Sequence, residues 1–485
     1  MNLKTIIVKH NNTLNLSVSV VALVAMLFQL FLFLQRGYAL ITFPYDLTSG
    51  EGLLLRDALY IRNGLPLYTS PNEFPYIISI YPPFYAAVVA LFSFVMGIGL
   101  GTARFVAISS SLLTCGVIAL IVYCGWRKWM IAVVAGLAYL SSMFVFQWSA
   151  FGRVDTLAVF CSVAAIYFIY RRVAMKNVIL ASVFCVAAFY TKQTSVAASL
   201  AIGLYLLLTN RRLGLVFIAI LGTSIAGIFL ILNALTQDQF YLQTVAYNVQ
   251  EYFVRALLSF IRALFILHPA SLILAFLFIW LAWKEKKLRQ LPILFFVFAG
   301  LMTWTVGRAG STVNHFLEFI AATTILVGLL WGQMESRKNI WSFLIPSLLV
   351  LQAIWMMLFP FSPLGGFYAP DESFTKLPTV QDEQSCEMLD KYIRETKGLI
   401  LAEEVGMLVE NDRDAIGSAW MINILYKRGV IDAGYNQLNV EIAEKQFSLI
   451  LAHGKSYPSD FLMNITTHYT IVDEAKCFFE WQVFR

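Results

Sequence analysis

The stretch Asp46-Leu47-Thr48-Ser49-Gly50-Glu51, continued by Tyr68 and by Tyr81-Pro82-Pro83, decides how this chain is read. It places carboxylates directly after the first long apolar run. A carboxylate kept beside a bilayer is costly, so its default reading is functional. The same loop carries Arg56, Asp57, Arg62 and Glu73. A membrane enzyme would hold its chemistry in such a place.

The rest of the chain explains why a bilayer is invoked. Hydrophobic residues make up 59% of the sequence and charged residues 13%, with a mean hydropathy of +0.71. An ordinary soluble domain carries about 25% charged residues. Lys4, Lys9 and His10 precede the first apolar run, and no clear small-residue cleavage site follows before Arg36. The run therefore reads as a first membrane helix and not as a cleaved signal peptide.

Apolar runs lie at 15–36, 80–99, 103–125, 129–147, 154–171, 176–191, 195–209, 213–233, 259–283, 290–307, 315–333 and 340–359. Basic residues gather at Arg127-Lys128, at Arg171-Arg172 with Lys176, at Arg211-Arg212, at Lys284 to Arg289, and at Arg337-Lys338. These connections fall between alternate runs, and Lys/Arg-rich loops lie on the cytoplasmic side. The net charge of +6 is thus accounted for by topology signals, with no call for a nucleic-acid partner. With a cytoplasmic N-terminus, one of the first three runs must fail to cross. The run 80–99 opens on Pro82-Pro83 and closes on Gly97, Gly99 and Gly101, which suits a bent or interface-lying segment. The expectation is an α-helical polytopic membrane protein of eleven spans, with 37–102, 148–153, 192–194, 234–258, 308–314 and everything beyond 360 outside the cytoplasm.

Residues 361–485 are a different material. Strand-like runs at 398–402 and 447–451 alternate with helical-looking stretches at 416–428 and 440–446, enough for one small extracytoplasmic α/β domain. A membrane domain over 1–360 and this tail are the two expected units. Cys386 and Cys477 lie in the tail, where a disulfide or two free thiols are both open; Cys115, Cys124, Cys161 and Cys185 sit in apolar runs as small core residues.

The predicted topology gathers polar residues at one face: Asp46 and Glu51, Arg153 and Asp155, Lys192, and Arg308 with Asn314, His315 and Glu318. Lys192, Arg308 and Arg153 can neutralise a phosphate, and arginine can do so with two parallel hydrogen bonds. Asp46, Glu51 and Asp155 can take a proton from an attacking hydroxyl or hold a divalent metal, although no ligand spacing demands one. Structural readings stand beside these. Arg153 and Asp155 can form an ion pair, Lys192 can snorkel to the interface, and Asn314, His315 and Glu318 can belong to a helix start.

Taken in order, Gly50-Glu51-Gly52, Ala58, Gly64, Leu67-Tyr68, Tyr81-Pro82-Pro83-Phe84-Tyr85, Arg153-Val154-Asp155, Thr191-Lys192-Gln193-Thr194 and Gly310-Ser311 with Asn314-His315-Phe316-Leu317-Glu318 resemble GT-C glycosyltransferases. The narrower likeness is to the bacterial branch related to protein O-mannosyltransferases and aminoarabinose lipid A transferases. It is spread over about residues 15–335. The resemblance implies a first external loop built as two juxtamembrane helices, with an acidic residue at its start as catalytic base. That family usually shows adjacent acids there, whereas this chain has Ser49-Gly50-Glu51. By its distance to Gly64, Glu51 is the better match and Asp46 the second choice. The resemblance also implies Asp155 as a second acid and Lys192 and Arg308 as phosphate ligands; Arg153, Tyr81, Asn314, His315 and Glu318 complete the candidate substrate contacts.

The function expected is inverting transfer of a sugar from a polyprenyl-phosphate donor to a lipid, glycan or protein acceptor outside the cytoplasm. A transporter or lipid flippase is the alternative. Internal repeats and broken helices near the bilayer midplane would mark one, and no convincing repeat is visible between the halves.

Overall fold

The computed structural model of this protein describes residues 3–358, 377–430, 433–454 and 456–485. Fifteen helices precede a small loop region: α1 Leu3–Ile41, α2 Glu51–Arg62, α3 Phe84–Met96, α4 Leu100–Trp126, α5 Trp129–Leu140, α6 Met143–Trp148, α7 Asp155–Arg171, α8 Met175–Thr191, α9 Ala197–Thr209, α10 Arg211–Leu235, α11 Gln239–Tyr241, α12 Val254–Leu267, α13 Pro269–Lys284, α14 Leu291–Met302 and α15 Leu317–Ser336. α16, Trp341–Leu358, closes the membrane part.

Among the described residues five stretches are long and apolar enough to cross a membrane: Leu16–Ile41, Leu100–Trp126, Arg211–Leu235, Val313–Ser336 and Trp341–Leu358. α12 and α13 meet the same criterion only when taken together, as a pair bent by 88°, the geometry of a broken span or a re-entrant loop. The bend falls at His268-Pro269, where the proline ring suits the first turn of a new helix and cannot continue the old one. α3, α5, α8, α9 and the α14 segment are shorter apolar helices. Every run expected to cross is thus helical, although 129–147 and 259–283 are each broken into two pieces. α15 forms the centre, with 83% of its apolar window buried, while only 6% of the α10 window is covered. The uncovered side of α10 presents Leu215, Ile218, Leu230 and Ile231, side chains suited to lipid tails.

The bundle has two chemically distinct ends. At one end, Lys128 meets Glu335 at 3.1 Å, and Glu285 pairs with Lys287 at 2.9 Å and with Arg337. Three of the basic connections seen in the sequence, at 127–128, 284–289 and 337–338, therefore lie together. The opposite end collects the C-termini of α1 and α8, the N-termini of α4, α7, α9 and α15, and the first loop. In that loop α2 packs against α3, the segment 80–99 of the sequence. Two helices in the first loop are what the resemblance implied.

Beyond residue 376 the chain forms α17 Val380–Glu395, β1 Leu399–Ala402, α18 Gly406–Glu410, α19 Ala419–Lys427, α20 Ala433–Ala443, β2 Phe447–Ala452, α21 Ser459–His468, β3 Ile471–Cys477 and β4 Phe479–Phe484. The sheet order is β1-β2-β4-β3, with β1 and β2 parallel and the remaining pairs antiparallel. The expected strands at 398–402 and 447–451 are β1 and β2; β3 and β4 were not anticipated. Residues 361–376, assigned to the same tail, lie outside the described residues. Cys386 of α17 and Cys477 of β3 form a disulfide.

This domain is docked onto the first loop. Glu410 accepts from the Leu100 amide at 2.6 Å, a carboxylate at the positive N-terminal end of α4. Ser418 accepts from the Ile78 amide at 2.9 Å, and the Gly417 amide donates to the Pro75 carbonyl at 2.8 Å. Gly406 abuts Gly52 so closely that a methyl group on Gly52 would sit 2.2 Å from the Gly406 nitrogen. Only two residues without side chains permit that approach.

Candidate active site

Glu51 opens α2 and is fully buried. Its Oε1 accepts from Arg104 Nε at 3.0 Å and the Gly152 amide at 2.6 Å; its Oε2 accepts from Arg104 Nη2 at 2.9 Å and the Leu47 amide at 3.0 Å. A carboxylate has about four lone-pair positions, so none remains for a substrate proton. Burial alone would raise this carboxyl, but the Arg104 charge and these hydrogen bonds outweigh it and hold it below the usual range. Arg104 is equally committed. Its remaining donors reach the carbonyls of Leu40 at 2.8 Å, Phe43 at 2.5 Å and Tyr45 at 2.7 Å, closing the frayed end of α1. In this geometry Glu51 clamps α1, α2 and α4 together and turns no free lone pair to a substrate, so its expected part as the base finds no support here.

Asp46, the second choice, is also withdrawn from the reacting space. It is 2% exposed, and among the described residues neither carboxylate oxygen has a hydrogen-bond partner. Gly406 of the C-terminal domain covers it; a methyl there would meet Asp46 Oδ2 at 2.2 Å. Burial, and then the nearby charge of Glu404, push its carboxyl well above the ordinary range. A neutral carboxyl is what such a site favours. Asp46→Asn should therefore melt no lower than wild type and keep its activity. A folded Asp46→Asn protein that has lost activity would restore Asp46 to the chemistry.

The later motifs do converge. Asp155, at the start of α7, accepts from Lys192 Nζ at 2.6 Å and Asn314 Nδ2 at 2.9 Å through Oδ1, and from Trp148 Nε1 at 2.8 Å through Oδ2. Expected as a second acid of the site, it is here ion-paired to Lys192 and holds three donors. Its partner is Lys192, with Arg153 turned elsewhere: Arg153 donates to the Ser49 carbonyl at 2.8 Å and to the Tyr81 hydroxyl at 3.2 Å. His315 shares a hydrogen bond of 2.7 Å with Thr305. Glu318 lies one turn deeper, lining a pocket of about 30 Å³ behind Asp155 and Lys192, large enough for one water.

Lys192, Arg153, Trp148, Asn314 and His315 border a cavity of about 340 Å³ between the membrane domain and the C-terminal domain, within the usual size range of ligand sites. Lys192, Arg153 and Arg308 supply its positive charge, and Tyr81, Asn314 and His315 also face it. Arg308 is held by the backbone carbonyl and side chain of Asn248. Trp148, Trp420, Phe478 and Phe479 provide flat apolar faces. Glu51, Asp46 and Asp155 do not line it. The carboxylates on its wall are Asp57, Glu403 and Glu404. Asp57 Oδ1 takes both Arg56 at 3.0 Å and the Ser79 hydroxyl at 2.8 Å. Among the described residues no group of three or more His, Cys, Asp and Glu side chains is placed to hold a metal ion, so no step here is routed through one.

Sequence reasoning missed Arg104, Trp148, Trp420 and the Glu403-Glu404 pair. An arginine within an apolar run signals a buried partner, and that cue was available for Arg104. Glu403-Glu404 follows directly on β1, and the carboxyl ends of strands commonly face sites in α/β sheets.

The fold is that of the GT-C membrane glycosyltransferases, and the comparisons support that superfamily. Residues 81–235 match the family model for dolichyl-phosphate-mannose-protein mannosyltransferase. The chain is similar to ArnT from Cupriavidus metallidurans in the apo state over 94% of its own length and 97% of that chain, at 13% identity and a TM-score of 0.65. The same protein bound to undecaprenyl phosphate gives 0.64 over the same shares, also at 13% identity. The Archaeoglobus fulgidus oligosaccharyltransferase in its apo form is similar over 90% of this chain and 69% of that one, at 12% identity and a TM-score of 0.55. No curated protein sequence matches. This is a multi-pass membrane protein with a glycosyltransferase fold.

Proposed function

We propose that this protein transfers a sugar from a polyprenyl-phosphate donor to an acceptor hydroxyl, with inversion, on the extracytoplasmic face. One observation carries the reading: Lys192, Arg153 and Arg308 line a single cavity that also has aromatic walls. The acceptor oxygen attacks the anomeric carbon, the bond from that carbon to the phosphate oxygen breaks, and the electron pair leaves with the phosphate. Lys192 spends one N–H on Asp155, leaving two to meet the charge that develops on the leaving oxygen. Arg308 and Arg153 would orient the phosphate, and Trp148 and Trp420 would stack on the sugar. A structural neighbour solved with undecaprenyl phosphate supports this class of donor. The basic connections at the other end of the bundle support the extracytoplasmic placement.

Purified protein incubated with a panel of polyprenyl-phosphate sugars and candidate lipid, glycan and peptide acceptors should consume donor and release polyprenyl phosphate. Accumulation of intact donor inside vesicles, with none cleaved, would favour a flippase and overturn the transferase reading.

A further inference from the structure

Of the first-loop carboxylates only Asp57 reaches the cavity wall, and its Oδ1 is held by Arg56 and Ser79; none comes from the stretch around Gly50. Gly50 is left-handed, with φ of 92°, and a methyl group there would lie 2.3 Å from Arg153 Nη1. An acidic side chain at position 50 would be strained and would displace Arg153. Glu51 is saturated, Asp46 is covered, and Asp155 is engaged with three donors. A transferase that activates a hydroxyl needs its proton acceptor from elsewhere.

The opposite wall supplies one. Glu404, 5% exposed, lines the cavity, and its Oε2 accepts from the Gly50 amide at 3.4 Å. This bond is long, so the oxygen keeps capacity for a further donor. The neighbouring Glu403 is bound instead by the loop after β2, with the amides of His453 at 2.6 Å and Gly454 at 2.8 Å, and that of Ser456. Parallel pairing of β1 and β2 causes this, since it brings the segments following both strands side by side. His453 stands between the acids: Nδ1 is 3.3 Å from Glu403 Oε1 and Nε2 is 3.6 Å from Glu404 Oε1. Its ring stacks on Phe479 with centroids 4.6 Å apart, which fixes its plane.

We infer that Glu404, from the C-terminal domain, is the base that takes the acceptor proton, with His453 as its positioning residue; this rests on the transferase reading above. As the acceptor oxygen bonds to the anomeric carbon, its proton passes to the Glu404 carboxylate and the phosphate departs with its electron pair. The C-terminal domain is then part of the reaction centre and not only an acceptor-binding appendage.

Steady-state transfer by wild type, Glu404→Gln, Asp57→Asn, His453→Gln and His453→Leu tests this, with melting followed with and without polyprenyl phosphate. Glu404→Gln should lose about 10²–10⁴-fold in kcat, the usual contribution of a general base, while its donor KM and its thermal shift by polyprenyl phosphate stay near wild type. Asp57→Asn, at the first-loop carboxylate on the cavity wall, should lose far less transfer than Glu404→Gln. His453→Gln, which keeps a polar group beside Glu404, should transfer faster than His453→Leu; equal rates would make the ring mere packing and remove its positioning role. If wild type transfers sugar and Glu404→Gln does so at a near-normal rate, or only Asp57→Asn loses it, the assignment of Glu404 is overturned while the transferase reading stands. If wild type transfers none, the transferase reading falls and takes the assignment with it.

Discussion

Exchange of Glu51 for glutamine should leave little folded protein, in contrast to a catalytic exchange that spares the fold. The glutamine amide would place an N–H against donors that already surround the site: Arg104 and the amides of Gly152 and Leu47. It would also leave the fully buried Arg104 guanidinium without a counter-charge. Breaking a buried pair from one side costs about 3–5 kcal/mol, a large share of the usual net stability of about 5–15 kcal/mol. Arg104→Met should be at least as damaging, because three carbonyls at the end of α1 lose their donor as well. Combining Glu51→Met with Arg104→Met removes both charges and should recover part of the loss, but not the carbonyl bonds. Fluorescence-detected gel filtration and melting in detergent would measure each. A Glu51→Gln protein that melts like wild type yet transfers no sugar would reinstate Glu51 as the base.

The second large effect is expected at Lys192. Lys192→Met should lower kcat by about 10²–10³, the scale seen when one donor to a developing negative charge is removed. It also strands the Asp155 carboxylate, so folding alone could explain a loss. The pair Asp155→Asn with Lys192→Met separates the two, since the asparagine carries no charge to strand. If Lys192 binds the leaving phosphate, the double variant should fold but stay inactive. Recovery of transfer in the double variant would make Lys192 purely structural.

The membrane fold was legible because its signals are local. Each basic connection is a few residues long, and each apolar run carries its own length. The Pro82-Pro83 and glycine boundaries of α3 were readable for the same reason. The carboxylate wall of the cavity was not, because its contacts join residues far apart in sequence. Glu51 and Arg104 are 53 positions apart, and Gly50 and Glu404 are 354 apart. Glu51 was visible as an acid beside a membrane, but nothing local reveals that every lone pair is already taken. β3 escaped notice because Asp473, Glu474 and Lys476 make it read as polar, and charges of that kind are how an edge strand resists further pairing. Lys192 and Asp155 were both singled out, although the partnership was first drawn between Asp155 and Arg153.

The link between Cys386 and Cys477 bears on how the molecule matures. Its second half lies more than a hundred positions past Leu358, the end of α16. Beside it stand Phe478 and Phe479, which close one side of the cavity, and Phe478 packs on Phe43 at the head of the first membrane helix with ring centroids 5.2 Å apart. A ribosome therefore delivers a fully inserted bundle whose reaction chamber still lacks a wall. The cavity wall waits for the tail to emerge and fold, and the Cys386–Cys477 link within it persists only in compartments that permit thiol oxidation. Half-made chains would thus hold lipid-facing helices with one side of the cavity still missing.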